Sequence, residues 1–308
     1  MCSYAKVLWS YQSADPYLGQ DPNPIMELRQ WLDVPYATKS AAQTLDLFVP
    51  PDGDRPFPLI VGIHGGAFRM GTSRNREMDP IIGATGRGYA VASLNYRLSS
   101  EAIFPAPVAD CREAIRFLRS NARRWNLDPE RFVVWGPSAG GYLASMIGAA
   151  SHVTEFDGDH APVAGVATTV RAVIDWYGPI DFGRMDAQFD ASTVSPRLGP
   201  KRDADSPESE LLGAPIGDLP DAVRQANPST HLTGLHPSTA PRFLIQHGTD
   251  DQLIPVQQSV GFASAIAATL GPDHVMIDIL PGAGHGGAGF EAPSNLNRIF
   301  AFIADALQ

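Results

Sequence analysis

The stretch around Ser138 constrains the fold of this chain more than any other. Four apolar and mostly β-favouring residues at 132–135 predict a buried strand. The sequence GPSAGG follows directly, and small residues then continue to Ala149 in a pattern that favours a helix. A serine flanked by glycines at a strand-to-helix turn is a nucleophile elbow, because missing Cβ atoms permit the strained backbone that lifts the hydroxyl out of the sheet. A Gly-rich surface loop, the alternative, requires neither the strand nor the helix.

The remainder of the chain alternates apolar strand patterns with helical ones. Such alternation is typical of a parallel sheet covered by helices on both faces. We therefore predict an α/β fold with a doubly wound, mostly parallel sheet in a single domain of residues 1–308. The predicted strands are 44–49, 59–63, 88–96, 132–135, 170–176, 243–246 and 275–280, and the predicted helices are 107–124, 142–149, 256–270 and 288–306.

Two segments depart from this alternation. Residues 1–36 are rich in aromatics and turn formers, including Trp9, Tyr11, Tyr17 and Trp31. We expect an N-terminal arm on the surface, which either lies near the site entrance or simply covers the sheet edge. Residues 177–235 carry many Pro, Asp, Ser and Gly residues and only short apolar patches. An insertion of this composition in a doubly wound protein predicts a small cap near the ends of the strands.

Composition and charge exclude several classes of partner. A formal net charge of −10 argues against nucleic acids and anionic membranes, which attract basic surfaces. No stretch approaches the roughly 18 apolar residues of a membrane span. The N-terminal residues lack a basic region followed by a long apolar run, so we expect a cytoplasmic protein, with secretion open if a signal peptide was trimmed. Cys2 and Cys111 are the only cysteines and make no zinc pattern, so no metal or cofactor is predicted.

A serine hydroxyl needs a base within hydrogen-bonding reach and a carboxylate that orients the base. Among eight histidines, His285 stands out because it lies in the Gly-rich sequence PGAGHGG immediately after the last predicted strand. Asp250 and Asp251 follow an earlier strand, and the carboxylate falls between serine and histidine in the chain order of this type of triad. Adjacent side chains point apart, so one of the two should orient His285 and the other should face solvent or cap a turn.

The negative charge that develops on a substrate oxygen needs N–H donors already in place. Ala139 directly follows the serine and should supply one donor. The others should come from the loop HGGA at 64–67, where Gly66 and Ala67 are the favoured candidates. We expect the substrate to be bounded by bulky residues that follow this loop or the next strand, namely Phe68, Met70, Trp176, Tyr177 and Phe182.

Five motifs taken together resemble a known group of enzymes. HGGAF, NYRLS, WGPSAGG, HGTDDQLIP and PGAGH are similar to motifs of the hormone-sensitive-lipase-like and feruloyl-esterase-like (BD-FAE-like) branch of the α/β-hydrolases. The resemblance covers roughly Ser40 to Ala306. It implies that the acid is the last position of the HGxxD pattern, here Asp251, and that 177–235 is a cap insertion. Ala67 departs from the third glycine of many members, which implies a slightly tighter acyl side.

The resemblance implies a serine carboxylesterase that hydrolyses short-chain or aromatic esters, of the acetyl or feruloyl type, through an acyl-enzyme. The expected partner is a small-molecule ester, and a homodimer is left open. Two alternatives remain. An arylformamidase or amidase would use the same triad, since ester or amide preference depends on how the leaving group is protonated. A non-catalytic binding module with this fold typically lacks a triad member, whereas Ser138, Asp251 and His285 are all present.

Overall fold

The computed structural model describes residues 28–51, 53, 55–158 and 165–308. Most of the predicted N-terminal arm, including Trp9, Tyr11 and Tyr17, lies outside these residues. Trp31 is described, and it lies in a strand that pairs with the edge of the sheet. No helix in the described ranges combines the length and hydropathy that a membrane span requires.

In the described part of the chain, eight strands form one sheet with the order β1-β2-β4-β3-β5-β6-β7-β8. The six strands β4, β3, β5, β6, β7 and β8 pair in parallel in this order, while β2 is antiparallel to both β1 and β4. The prediction of a doubly wound, mostly parallel sheet is therefore confirmed. The strands are β1 (Arg29–Pro35), β2 (Thr44–Val49), β3 (Phe57–Ile63), β4 (Ala90–Leu94), β5 (Leu127–Pro137), β6 (Ala172–Trp176), β7 (Arg242–Gly248) and β8 (Val275–Leu280).

Helices cover both faces of the sheet, and each face has its own apolar core. Helices α2, α4 and α8 bury their apolar residues on one face, while α1 and α10 do so on the other. The helices of the described residues are α1 (Asp79–Ile82), α2 (Ala106–Ser120), α3 (Ala122–Trp125), α4 (Ala139–Ala149), α5 (Met185–Asp190), α6 (Pro207–Leu212), α7 (Pro220–Gln225), α8 (Gln257–Leu270), α9 (Ala288–Glu291) and α10 (Pro293–Ala306).

The boundaries of several elements differ from the predicted ones. The bounds of β2 and β8 match the prediction, whereas α4 begins at Ala139, before the predicted start of that helix. The helix predicted at 107–124 is interrupted at Asn121 and the one predicted at 288–306 at Ala292. Pro293 explains the second break, because proline lacks the N–H that would continue the preceding helix and is well suited to begin a new one. Strand β1 was not predicted. Its residues RQWLDVP show no clear alternation, and its pairing with β2 defines it.

The segment predicted as a cap consists of short helices rather than a compact separate layer. It contains α5, α6 and α7 together with 3-10 helices at Phe182–Arg184, Ile216–Asp218 and Pro228–Gly234. Its side chains contribute to the larger of the two cores. Phe104 N–H donates to the Leu211 carbonyl at 2.7 Å, and Arg69 pairs with Glu210 at 2.6 Å. The segment is thus attached beside the loop after β3, and its role as a cap stays a prediction.

Parallel strands end at the same edge of a sheet, and ligands of such folds bind there. Four connections meet at this edge of the sheet. The loop after β3 carries His64 to Ala67, the turn after β5 carries Ser138, and the loops after β7 and β8 carry Asp251 and His285. Residues far apart in sequence are thereby collected into one site.

The elbow helix α4 packs unusually close to the end of β3. A Cβ atom placed on Gly140 would lie 1.9 Å from the Ile63 carbonyl oxygen and 2.8 Å from that of His64. Both obstacles are backbone atoms and cannot rotate away. The absent side chain at Gly140 is therefore a requirement for bringing the serine turn against the loop after β3.

We predict that Gly140→Ala lowers the free energy of unfolding by about 2–4 kcal/mol, because the added methyl group forces α4 away from β3. Gly261→Ala in α8 is the matched control, since nothing lies within 4 Å of a Cβ at that position. Alanine favours helix more than glycine, so the control should be neutral or stabilising by up to about 1 kcal/mol. Urea unfolding of both variants measures the difference. Equal stabilities would contradict the proposed close contact.

Candidate active site

Ser138 occupies a strained turn between β5 and α4. Its backbone angles are φ 55° and ψ −123°, which lie in a region that residues with a side chain rarely adopt. The Ser138 N–H donates to the Trp176 carbonyl at 2.7 Å, and the Ser138 carbonyl accepts from Tyr142 N–H at 3.0 Å. These two bonds hold the strained turn in place from the neighbouring strand and from the helix.

Hydrogen bonds connect Ser138, His285 and Asp251 in a chain. His285 Nε2 lies 2.9 Å from Ser138 Oγ, and His285 Nδ1 lies 2.7 Å from Asp251 Oδ2. Because a carboxylate only accepts, Nδ1 carries the proton, and Nε2 is left to accept from the serine hydroxyl. The structure therefore brings together the three residues that the sequence predicted, in the relation that proton removal from a serine requires.

Of the two candidate carboxylates, Asp251 contacts the histidine and Asp250 does not. Asp251 is buried, and its Oδ1 accepts from the N–H groups of Leu253 and Ile254 at 2.8 and 3.0 Å. Asp250 is exposed and accepts from the Thr249 hydroxyl at 2.8 Å. The opposite orientation of neighbouring side chains thus separates the two aspartates, as the sequence suggested.

A second histidine, His247, also contacts Asp251 and was not predicted. It is fully buried, and its Nε2 lies 3.1 Å from Asp251 Oδ2 and 3.0 Å from the Ile254 carbonyl. Its Nδ1 lies 2.7 Å from Ser259 Oγ. Burial by itself would raise the pKa of Asp251, but hydrogen bonds from His247 and His285 outweigh it and lower that pKa well below the ordinary value. The first letter of the HGxxD pattern was the available signal for this residue.

The loop after β3 has an unusual backbone. Gly66, Ala67 and Phe68 have φ values of 108°, 55° and 62°, three successive left-handed residues of which two carry side chains. The N–H groups of Arg69 and Met70 both donate to the Gly66 carbonyl, which closes the turn. Non-glycine residues hold such angles only when their surroundings enforce them, and such residues cluster at functional sites.

The predicted N–H donors belong to the loop after β3 and to the residue that follows the serine. In the ranges the structure describes, no group accepts a hydrogen bond from the N–H of Gly66, Ala67 or Ala139. The N–H of Ala139 belongs to the first turn of α4, where helical partners are absent. Unpaired N–H groups at this place are what an oxyanion would require, and their role as donors stays a prediction.

His64 stabilises the start of the loop and is not part of the triad. It is 1% exposed, its Nδ1 donates to the Gly65 carbonyl at 2.6 Å, and its ring stacks on Tyr96 at 4.4 Å. Burial lowers the pKa of His64 to about 4, so this imidazole is neutral at pH 7. The residue therefore fixes the start of the loop and adds no charge there.

The five predicted substrate contacts occupy different environments. Phe68 and Phe182 pack with Tyr142 in a buried aromatic cluster beneath the elbow. Trp176 is 2% exposed and donates to Gln246 at 2.7 Å, whereas Met70 is 65% exposed. The phenol ring of Tyr177 lies 4.6 Å from the His285 ring. The Tyr177 side chain thus lies against the triad histidine, while Trp176 contacts Ser138 through its backbone carbonyl. Substrate contact by all five stays a prediction.

Tyr177 adopts the left-handed region, with φ 46°, and a buried aspartate holds this turn. Asp175 Oδ1 accepts from Gly178 N–H at 2.8 Å, and its Oδ2 accepts from the Ser145 hydroxyl of α4 at 2.9 Å. Burial raises the pKa of Asp175 to about 6, although both hydrogen bonds act in the opposite direction. Asp175 thus connects the elbow helix to the turn that presses Tyr177 against His285. No signal in the sequence marked either feature.

We predict that the stability of the protein falls with rising pH through the titration of Asp175. A pKa raised in the folded state means that the stabilisation is complete at low pH and is lost as the pH rises through about 6. Asp175→Asn removes this dependence. The free energy of unfolding of the variant minus that of the natural chain should therefore increase by on the order of 2 kcal/mol as the pH rises from 4.5 to 7.5. Urea unfolding at both pH values measures it. The exposed Asp250→Asn is the control, and a constant difference for Asp175→Asn would refute the prediction.

Within the residues described, no three His, Cys, Asp or Glu side chains are grouped to hold a metal ion. The groups that the geometry does bring together are the serine, the histidine and the carboxylate already identified. This arrangement can remove a proton from Ser138, direct the oxygen at an electrophilic carbon and return the proton to a leaving group.

Comparisons with known proteins place this geometry in context. The BD-FAE family model matches residues 45–266, most of the chain. The probable carboxylic ester hydrolase LipM of Mycobacterium tuberculosis is 27% identical over 257 residues, which cover 80% of this chain and 56% of LipM. The esterase LipC of the same organism is 28% identical, covering 80% of this chain and 57% of LipC. The chain thus spans little more than half the length of these curated relatives.

A solved structure described as a truncated form of a carbohydrate esterase from gut microbiota superposes with a TM-score of 0.78 and 28% identity, covering 90% of this chain and 96% of the other. The similarity extends over nearly the whole of both chains. The α/β architecture therefore has a close parallel among proteins of known structure.

Proposed function

The chain belongs to the BD-FAE family of α/β-hydrolases, and from that membership we propose that it is a serine carboxylesterase that hydrolyses short-chain or aromatic esters through an acyl-enzyme. The observation that carries the proposal is the hydrogen-bonded chain from Ser138 through His285 to Asp251. The names of LipM and LipC as ester hydrolases support it.

In the proposed first step, His285 Nε2 takes the hydroxyl proton as Ser138 Oγ forms a bond to the ester carbonyl carbon. Asp251, whose pKa is lowered by its histidine partners after the opposing effect of burial, remains a carboxylate and stabilises the imidazolium. The carbonyl oxygen becomes negative and accepts hydrogen bonds from the N–H groups of Gly66, Ala67 and Ala139.

The tetrahedral intermediate then collapses. The bond from the carbonyl carbon to the alcohol oxygen breaks, and His285 gives its proton to the departing alcohol. A water molecule repeats the sequence on the acyl-enzyme, giving its proton to His285, and the carboxylic acid leaves as Ser138 regains its hydrogen. Each step needs only the triad, the N–H donors and water, so the proposed reaction balances without a cofactor.

We expect Asp251→Asn to lower kcat by about 10,000-fold, because the asparagine cannot hold His285 in the tautomer that accepts from the serine. Asp250→Asn removes the same charge from the adjacent exposed residue and should change kcat by less than about threefold. Steady-state kinetics on 4-nitrophenyl acetate compares the two variants. A larger effect at Asp250 would overturn the assignment of the acid.

The acyl preference is a separate prediction. Each methylene that the acyl site buries contributes about 0.8 kcal/mol, and the gain ends when the chain exceeds the site. Phe68, Tyr142 and Phe182 pack against one another, and we expect this cluster to bound a short acyl site. The neighbouring sequence KRDADSPESE at 201–210 is too polar for a lipid-facing lid. We therefore expect kcat/KM to peak among acetyl to hexanoyl esters, with a second optimum for cinnamoyl-type acyl groups.

A series of 4-nitrophenyl esters, methyl ferulate and an N-formyl arylamine tests this preference, with Ser138→Ala as the inactive control for every substrate. A fluorophosphonate probe should label Ser138 in the natural chain. A peak at dodecanoyl or longer acyl groups, or activation at an oil–water interface, would identify a lipase instead. Faster turnover of the formyl arylamine than of any ester would identify an amidase.

A further inference from the structure

Glu77 lies beside the oxyanion loop and has no part in the triad. It belongs to the 3-10 helix Arg76–Met78 and is half buried. Its Oε1 accepts a hydrogen bond from the Gly65 N–H at 2.6 Å. Hydrogen bonds of an N–H group to a carboxylate are shorter and stronger than neutral ones. Glu77 therefore fixes the residue that precedes the proposed oxyanion donors.

The carboxylate of Glu77 is also close to the nucleophile. A Cβ atom placed on Gly65 would lie 3.0 Å from Glu77 Oε1 and 3.2 Å from Ser138 Cβ. The two side chains are thus separated by no more than the sum of these distances. Gly65 has no side chain that could stand between them, so the charge of Glu77 acts across the space next to the reacting oxygen.

The charge of Glu77 affects the pKa of Tyr177. Burial raises the pKa of the Tyr177 phenol, and the charges of Glu77 and Asp251 raise it further. Tyr177 is the residue whose ring contacts His285 at 4.6 Å. Glu77 therefore acts on the same space as the triad, although it belongs to a different loop.

Within the described part of the chain, the carboxylate of Glu77 lies in no ion pair with a cationic side chain. The carboxylates of Asp46 and Asp110, by contrast, form ion pairs with Arg74 and Arg97. His64, the imidazole of the same loop, is neutral at pH 7 because burial lowers its pKa to about 4.

We propose that Glu77 is a specificity-determining residue that disfavours anionic esters at this site and favours neutral or cationic ones. The inference rests on the proposed esterase function. A carboxylate on the substrate would lie within several ångströms of Glu77. At that distance, and with an effective dielectric constant between those of protein and water, repulsion of the two charges lowers kcat/KM about tenfold. The same charge favours the imidazolium that forms on His285 and opposes retention of the carboxylate product.

A positioning role and a charge role can be separated by two substitutions. Glu77→Gln keeps an oxygen that accepts from Gly65 N–H but removes the charge. Glu77→Ala removes both and leaves the Gly65 N–H unpaired, which should lower kcat for every substrate. Asp79→Asn is the matched control, because Asp79 is an exposed carboxylate two residues further along the chain and its loss changes the net charge equally.

Three acetate esters with similar leaving groups provide the measurement: 3-acetoxybenzoate is anionic, 3-acetoxybenzamide neutral and 3-acetoxy-N,N,N-trimethylanilinium cationic. In Glu77→Gln, the ratio of kcat/KM for the anionic ester to that for the neutral one should rise about tenfold. The ratio of the cationic to the neutral ester should fall. Comparison with the natural chain cancels intrinsic differences in leaving-group reactivity.

Unchanged ratios in Glu77→Gln, or ratios that shift equally in Asp79→Asn, would overturn the inference. A measurement on the natural chain tests the inference even if the Glu77→Gln variant does not fold. For the natural chain, the ratio of kcat/KM for the anionic ester to that for the neutral one should rise with sodium chloride concentration, because salt screens the repulsion. A ratio that does not change with salt would also overturn the inference.

If the natural chain hydrolyses none of the three esters, the proposed function fails as well. If it hydrolyses them through Ser138 without charge discrimination, only the role of Glu77 fails.

Discussion

The contact between α4 and the end of β3 is the constraint on which the rest of the site depends. Cβ atoms on Gly136 and Gly140 would lie 2.7 and 1.9 Å from the same Ile63 carbonyl oxygen. This spacing fixes the serine turn relative to the loop that begins at His64, so the two parts of the site cannot move independently. The strained backbone of Ser138 is acceptable because packing on both sides leaves it no alternative.

The sequence predicted those parts of the structure that depend on local patterns. The parallel sheet, the bounds of β2 and β8 and the family were predicted correctly, because buried strands and motif spacing are visible along the chain. Ser138, Asp251 and His285 were also named, and the structure brings them together, although their catalytic roles stay predictions. Features that depend on distant partners were missed. Strand β1 is defined by pairing with β2, and the turn at Tyr177 by the clamp of Asp175.

Two buried aspartates near the site show how partners decide the charge of a carboxyl group. Asp251 accepts from two backbone N–H groups and two imidazoles, which lower its pKa in spite of burial. Asp175 accepts only one N–H and one hydroxyl, and burial prevails, raising its pKa to about 6. The first carboxyl can stabilise a positive charge on His285. The second holds a turn at a cost in stability that grows with pH.

The hydrogen bond between Ser138 and His285 joins residues 147 positions apart in the chain. A ribosome adds residues at roughly 5–20 per second, and the N-terminal part of a chain begins to fold first. Strands β3, β4 and β5, which position the serine, are therefore synthesised well before the loop after β8. The turn at Ser138 also needs Trp176 of β6, whose carbonyl accepts from the Ser138 N–H. The hydrogen bond between Ser138 and His285 can therefore form only after the last strand of the sheet has been synthesised.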